Sequence, residues 1–502
     1  LRNAAADAGV SGTSTMTNAE LITAIKTAND ATIAAGVDLT TDNATAINAA
    51  VVALGISGVS TLAQLNTAYD LLANPVSLDF TTSLDTLTGT SGADTFSAVI
   101  TATSATLTAL DSAAGGAGTD TLSIADNSNT AFTLPGSLTL TSVENITLSH
   151  TSDAAGDIIT VDVTNYADVD SITVVNAGTD ITSATITTSA NVETLTVNGG
   201  SGADIILATI ADSGTAASAT AATTDKLATV SLEGLTTGAH TIQSDVLTSL
   251  TLKNVGGVVT NTDGYIAATD VRTLTVSHNG GTNSGSTDAG ATTVNVNIDA
   301  ATTAAGTNTF AAATTLNVDV NAALTAGTIV AAAATDVNVN FDAAVTASTI
   351  TTAAATTIDY TGTANAVVTQ SGAAAAVITN SGTGNLTLNT AIAAGQTYTG
   401  GAGVDTVTFA ATGTTASTLG AGDDVATFSA VAGTGGSVDA GAGTGDTVSL
   451  TNALGVTLSA NATFEADIAN FEVLSLGAIG ATSAAATTVS LANLDSINSV
   501  KL

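Results

Sequence analysis

One six-residue phrase occurs three times at a fixed distance in the middle of this chain, and its spacing restricts the fold more than any other feature. It reads Ala313-Thr314-Thr315-Leu316-Asn317-Val318, then Ala334-Thr335-Asp336-Val337-Asn338-Val339, then Ala355-Thr356-Thr357-Ile358-Asp359-Tyr360, which sets Leu316, Val337 and Ile358 21 residues apart. A fixed period of about 20 to 50 residues marks a solenoid, because one such unit cannot bury its apolar face without neighbours. Within each phrase apolar residues alternate with Thr, Asn or Asp, the period of a strand and not of a helix. A unit of this length holds two or three short strands with Gly and Ala corners. The expected fold class is therefore mainly β: an elongated parallel β-helix or β-roll solenoid.

Alternation begins at Val76 and continues through residues 143–148, 172–175, 192–197, 230–232, 250–252, 274–276 and 294–296, and onward to Leu388. It is irregular before residue 250, and residues 212–224 and 279–290 are expected to be loops leaving the solenoid. Residues 1–75 read differently. Thr17-Asn18-Ala19-Glu20 is a capping box ahead of Leu21, Ile22 and Ile25, and Ile47, Val51 and Leu54 share one face before Gly55. The expected division is a small N-terminal α-helical module (1–76), the repeat-bearing start of the solenoid (77–215), regular rungs (216–395), and a C-terminal β-roll with its cap (396–502). The helical module would cap the solenoid or dock a partner.

The charge narrows the function. Forty-two acidic side chains face six basic ones, a formal net charge of −36. Nucleic acid is excluded as a partner, because phosphate binding needs a basic footprint. Repulsion among the acids opposes a compact state unless cations neutralise it. The absence of cysteine removes disulfide stapling, so in a secreted protein something else would have to stabilise the fold. No run of 18 apolar residues is present, and membrane insertion is not expected. The chain starts at Leu1 and not at Met, as a fragment or a processed product does.

The nonapeptide Gly-Gly-x-Gly-x-Asp-x-apolar-x of calcium-binding β-rolls supplies such a cation. It stands whole at residues 115–123 (GGAGTDTLS), 199–207 (GGSGADIIL) and 400–408 (GGAGVDTVT). Near matches lie at 89–97 (GTSGADTFS), 419–427 (LGAGDDVAT) and 440–449 (AGAGTGDTVS). Glycine permits the tight turn that aims main-chain carbonyls inward. Aspartate adds hard oxygens, of which calcium takes six to eight at about 2.3 to 2.6 Å. The candidate metal residues are Asp85, Asp94, Asp111, Gly116, Gly118, Asp120, Gly200, Gly202, Asp204, Gly401, Gly403, Asp405, Gly422, Asp423, Asp424, Gly443 and Asp446. Asp85 and Asp94 stand nine apart, as do Asp111 and Asp120, whereas Gln396 occupies the place nine before Asp405. Extracellular calcium modules bind at about 10⁻⁴ to 10⁻³ M. With calcium tenfold above Kd a site adds about 1.4 kcal/mol, so several sites rival a domain's stability of about 5 to 15 kcal/mol.

In these residues the chain resembles the calcium-binding RTX-type surface-layer (S-layer) proteins of Gram-negative bacteria. The likeness covers residues 80–480. It is carried by Thr81-Thr82-Ser83-Leu84-Asp85-Thr86-Leu87-Thr88-Gly89 running into Gly92-Ala93-Asp94-Thr95-Phe96, and by residues 115–122. It is carried also by Ser142-Val143-Glu144-Asn145-Ile146-Thr147-Leu148, a phrase repeated at residues 191–197 and 470–476. The resemblance implies a secreted structural protein, exported by type I secretion, that self-assembles with calcium into a two-dimensional lattice on the cell surface; cell-surface polysaccharide is a further candidate partner. Adhesins share the nonapeptide, so a calcium-stiffened RTX adhesin or extracellular matrix filament is the alternative. Glu144, Glu193 and Glu472 share one place in the repeated phrase, where a carboxylate either bridges to calcium or caps and is solvated.

An enzyme is not expected. Lys253, Arg272 and His278 fall near successive rungs, as basic residues do in β-helix enzymes that cleave acidic polysaccharides, but lone basic residues on a solenoid wall ordinarily offset acidic neighbours. Stacked threonines suggest a flat ladder for ice or a repeating polymer, an idea weakened by Thr, Asn and Asp alternating in one place.

Overall fold

The computed structural model describes Ala24 and residues 76–502, except 91, 152–156, 177, 179–180, 190, 201–205, 213–225, 236–237, 263–270, 411–414, 431–435, 478–487, 492–493 and 495. Apart from Ala24 and Val76, the expected helical module lies outside the described residues, as do Gly202, Asp204 and nearly all of the expected loop at 212–224. The chain forms two compact units, residues 1–216 with 223–227, and residues 217–222 with 228–502. Each is a parallel β-solenoid.

In the first unit one wall stacks Thr95–Thr101, Thr121–Asn127, Asn145–His150, Ser171–Asn176 and Thr194–Asn198 in parallel. A second wall stacks Phe132–Thr133, Asp157–Asp162, Ile181–Thr188 and Ile206–Asp212. Thr86–Thr88, Ser112–Ala114 and Thr139–Thr141 make a separate three-stranded sheet. The alternation in the sequence explains which side faces in. Phe96, Leu122, Ile146, Ile172 and Leu195 form one buried column, and Ile124, Leu148, Val174 and Val197 another. Side chains at odd places between them, such as Ser123, Thr147 and Thr173, point outward and are half-buried.

The 21-residue spacing in the second unit is the rung length. Leu316 lies across from Val337, and Val337 across from Ile358. Each occupies a strand of one wall, and Leu324–Val330, Val345–Thr351 and Ala366–Ser371 stack in the other. All three side chains have no exposed surface. Each contacts the rungs above and below, so a cavity there cannot be filled by collapse from one side. Ile358→Ala is expected to cost about 2 to 5 kcal/mol, measured as a lower urea midpoint.

One expectation needs correction. Residues 279–290 are not a loop: the strands Thr273–Thr282 and Ser286–Asp288 occupy most of them, with Asn279 across from Ala300 and Gly281 across from Thr302. Gly280 and Gly281 sit at φ 97° and 74°, a left-handed bend that interrupts the alternation without breaking the ladder and shifts its register. Asn452–Leu458 and Ala462–Asp467 are short helices, with Thr451 and Asn461 accepting main-chain N–H bonds at their starts. Phe464 of the second stands edge-on to Phe428, ring centroids 5.2 Å apart. No helix among the described residues is long and apolar enough to cross a membrane.

Candidate metal centre at the glycine–aspartate bends

The aspartates of the nonapeptides open strands just beyond the bends, and successive rungs stack them into columns. In the first unit the Asp94 N–H donates to Asp120 Oδ1 at 2.7 Å, and the Asp120 N–H donates to Glu144 Oε2 at 2.7 Å. In the second unit Asp405 N–H donates to Asp424 Oδ1 at 2.7 Å, Asp424 N–H to Asp446 Oδ1 at 2.7 Å, and Asp446 N–H to Glu472 Oε2 at 3.0 Å. Each column is thus a run of aspartates closed by a glutamate. A carboxylate accepting a main-chain N–H is a short, strong bond. Asp94, Asp120, Asp405, Asp424 and Asp446 are all buried.

Glu144 and Glu472 are therefore caps. Each follows by two a residue in the left-handed region, Ser142 at φ 50° and Asn470 at φ 61°. The third copy of the phrase behaves otherwise: Glu193 lies 3.8 Å from Lys226, both half-exposed.

The second carboxylate oxygens separate the aspartates into two groups. Asp94 Oδ1 accepts from the Val76 N–H at 2.9 Å and Oδ2 from the Thr90 N–H. Asp85 accepts from the Thr81 N–H at 2.6 Å and donates its own N–H to Asp111 Oδ1 at 2.9 Å, while Asp111 Oδ2 accepts from the Thr108 N–H at 2.7 Å. Asp405 accepts from the Asn380 amide at 2.8 Å and the Gly401 N–H at 3.1 Å. Asp423 clips the next rung, its Oδ1 accepting from the Thr444 and Gly445 N–H groups. By contrast, Oδ2 of Asp120, of Asp424 and of Asp446 is buried and accepts no hydrogen bond. An unpaired buried oxygen of a charged group is costly.

Glycine makes room beside these oxygens. A Cβ on Gly115 would collide with both Asp120 Oδ2 and the Ser142 carbonyl of the following rung, and one on Gly443 with Asp446 Oδ2 and the Gly422 carbonyl. Gly89 repeats this with Asp94 and the Gly115 carbonyl, and Gly400 with Asp405 and the Leu419 carbonyl. Carboxylate and main-chain oxygens therefore converge where a side chain would be. Of the other candidate glycines, Gly116, Gly118, Gly200 and Gly422 take positive φ, while Gly401 and Gly403 abut the Gly382 and Gly384 carbonyls. The Gln396 amide is turned away, its Nε2 donating to Ala373 O and its Oε1 accepting from Ala393 N–H.

Electrostatics follows from this packing. Burial pushes Asp120 up to about 6, helped by the neighbouring Glu144 and Asp94 charges. Burial likewise raises Asp405 to about 6. Asp424 rises to about 7 through burial and the charges of Asp405, Asp446 and Asp423. Asp446 is raised by burial and by Glu472.

Known protein families and curated proteins offer no match to this chain. The reading of the bends thus rests on their own chemistry. Among the described residues no three acidic or imidazole side chains gather on one point, because the aspartates form columns and not clusters. An ion here would be held mainly by main-chain carbonyls with one or two carboxylates. Such all-oxygen donor sets suit a hard cation.

Lys253 and Arg272 each face an acidic neighbour. Lys253 Nζ pairs with Glu233 at 2.6 Å, and Arg272 is buried against Asp288 at 2.8 Å. His278 is wholly buried, and that burial lowers it to about 4.

Proposed function

We propose that this chain is a calcium-dependent structural protein that self-assembles as a surface layer on a bacterial cell, secreted to the cell exterior, with calcium, its own copies and a cell-surface polysaccharide as partners. The observation that supports the calcium part is the pairing of an unbonded, buried carboxylate oxygen with a neighbouring-rung carbonyl in the glycine spaces at Gly115 and Gly443. Calcium would supply positive charge and a demand for oxygen ligands at those bends. Asp120, Asp424 and Asp446 would contribute carboxylates, and Ser142 and Gly422 carbonyls. The protein's own part is to hold these oxygens in place by stacking one rung on the next.

Asp120→Asn tests the assignment because it moves two quantities in opposite directions. Removing a buried charge stabilises the calcium-free protein, and removing a ligand weakens calcium at that bend by at least about tenfold. Calorimetric titration and a calcium-free urea midpoint read the two effects. Unchanged calcium binding would mean that the ligands lie elsewhere. The surface-layer part is read by electron microscopy of the protein with calcium: sheets support it, and isolated rods redirect the assignment to an adhesin or filament.

A further inference from the structure

Within the second unit polar groups are satisfied in two different ways. Along residues 293–380 the outward positions bond to one another from rung to rung. The Asn295 amide donates to Thr275 Oγ1, Asn317 to Asn295 at 2.8 Å, and Asn338 to Asn317 at 3.0 Å. In the next column the Asn340 amide donates to Asp319 Oδ1 at 2.9 Å, and Thr361 Oγ1 to Asn340 Oδ1 at 3.1 Å. In a third the Thr357 hydroxyl donates to Asp336 Oδ1 at 3.0 Å. Asp319 and Asp336 are half-buried, open to water on one side, and each accepts from a neutral donor. Inside, Tyr360 donates to Gln370, whose amide donates to Thr352 Oγ1 at 2.7 Å. No buried side-chain oxygen or nitrogen among residues 293–380 lacks a bond.

From residue 397 onward the arrangement changes. Three carboxylates, Asp405, Asp424 and Asp446, stand one above another with no exposed surface, and two of them carry an unbonded oxygen. Among the described residues no side-chain amide donates to Asp424 or to Asp446, whose bonded oxygens accept only from the main chain. A solenoid rung contacts only its neighbours, so one stretch can open while another stays closed.

We propose that residues 293–380 form a block that stays folded without calcium, and that calcium governs only the rungs from residue 397 to 476 of this unit. The inference rests on the calcium reading above and adds where in the chain that dependence lies. It gives the protein a metal-independent core onto which the acidic rungs close when the ion arrives.

Hydrogen exchange read by mass spectrometry on the full chain, calcium-loaded and calcium-free, tests it, with equilibrium dialysis measuring bound calcium. Peptides within 405–476 are expected to exchange at least about tenfold faster without calcium, the factor given by one site at tenfold its Kd. Peptides within 315–361 are expected to change by less than about twofold. If both blocks lose protection together, the unit is one cooperative body and the inference fails while the calcium reading stands. Bound calcium without any change in either block also overturns it. If dialysis finds no calcium bound, the calcium reading falls and takes the inference with it.

Discussion

Calcium-free protein will lose stability as pH rises from about 4 to about 7, and calcium-loaded protein will not. The sign follows from the buried carboxylates. Asp120 and Asp405 have folded values of about 6, and Asp424 of about 7, against 3.8 when unfolded. Between those values the folded chain holds more protons than the unfolded one, so stability is present below 3.8 and is lost as pH rises through 6 to 7. For Asp405, raised from 3.8 to about 6, the loss is about 3 kcal/mol. His278 works in the opposite sense. Its folded value of about 4 lies below the unfolded 6.5, so its contribution grows over that window, by about 3 kcal/mol. His278 lies outside the acidic rungs, so Asp405, Asp424 and Asp446 set the sign for those rungs, and Asp120 sets it for the bend it occupies in the first unit.

Calcium reverses the slope because it favours the ionised carboxylates and removes the protonated state from competition. Urea midpoints followed by far-ultraviolet circular dichroism at about pH 4.5 and pH 7.5, with and without calcium, measure both limbs. A calcium-free midpoint that climbs with pH would mean that these aspartates are not the groups in control. The change matters for the proposed function: at neutral pH the acidic rungs are held back by their own charge, so an extracellular ion can switch them.

How much of this could be read from the sequence differs between fold and site. The rung length was legible because Leu316, Val337 and Ile358 fall in a single buried column, and a column needs only a constant spacing to show itself. Residues 279–290 misled because glycines at 280, 281 and 285 remove the side chains whose alternation signals a strand, although the main-chain ladder continues. The helices at 452–467 are seven and six residues long, too short for a helical period to rise above the Thr and Ala background.

At the bends, glycine and aspartate announce themselves by type, but not by how their oxygens are shared. The repeat spacing pairs Asp85 with Asp94, nine residues on. The folded chain pairs Asp85 with Asp111 and Asp94 with Asp120, each 26 residues on, because a rung and not a nonapeptide separates stacked neighbours. Glu144 and Glu472 were visible as one place in a phrase. Their capping role depends on the left-handed turns at Ser142 and Asn470, which residue type alone does not specify.

Arg272→Met is expected to destabilise the second unit by about 3 to 5 kcal/mol, the cost of stranding one half of a buried ion pair. Arg272 is 8% exposed and Asp288 2%. The guanidinium donates to both oxygens of Asp288, at 2.8 and 2.9 Å, and to the Leu247 carbonyl at 2.7 Å. Asp288 in turn accepts from the Gly290 and Ala291 N–H groups and from the Asn261 amide, so it cannot turn toward water when its partner is removed. Lys253→Met is the control. Lys253 and Glu233 are 44% and 38% exposed, and a pair of that kind contributes at most about 1 kcal/mol. Urea midpoints of the two variants in calcium should therefore differ widely although each removes one positive charge from a chain of net −36. Equal losses would mean that global charge, and not the buried pair, sets the stability of these rungs. Adding Asp288→Asn to Arg272→Met should recover part of the loss, since the amide leaves no charge uncompensated while its oxygen still accepts from the Gly290 and Ala291 N–H groups. That recovery separates the ion pair from mere packing, because packing alone would leave the double variant no better than the single one.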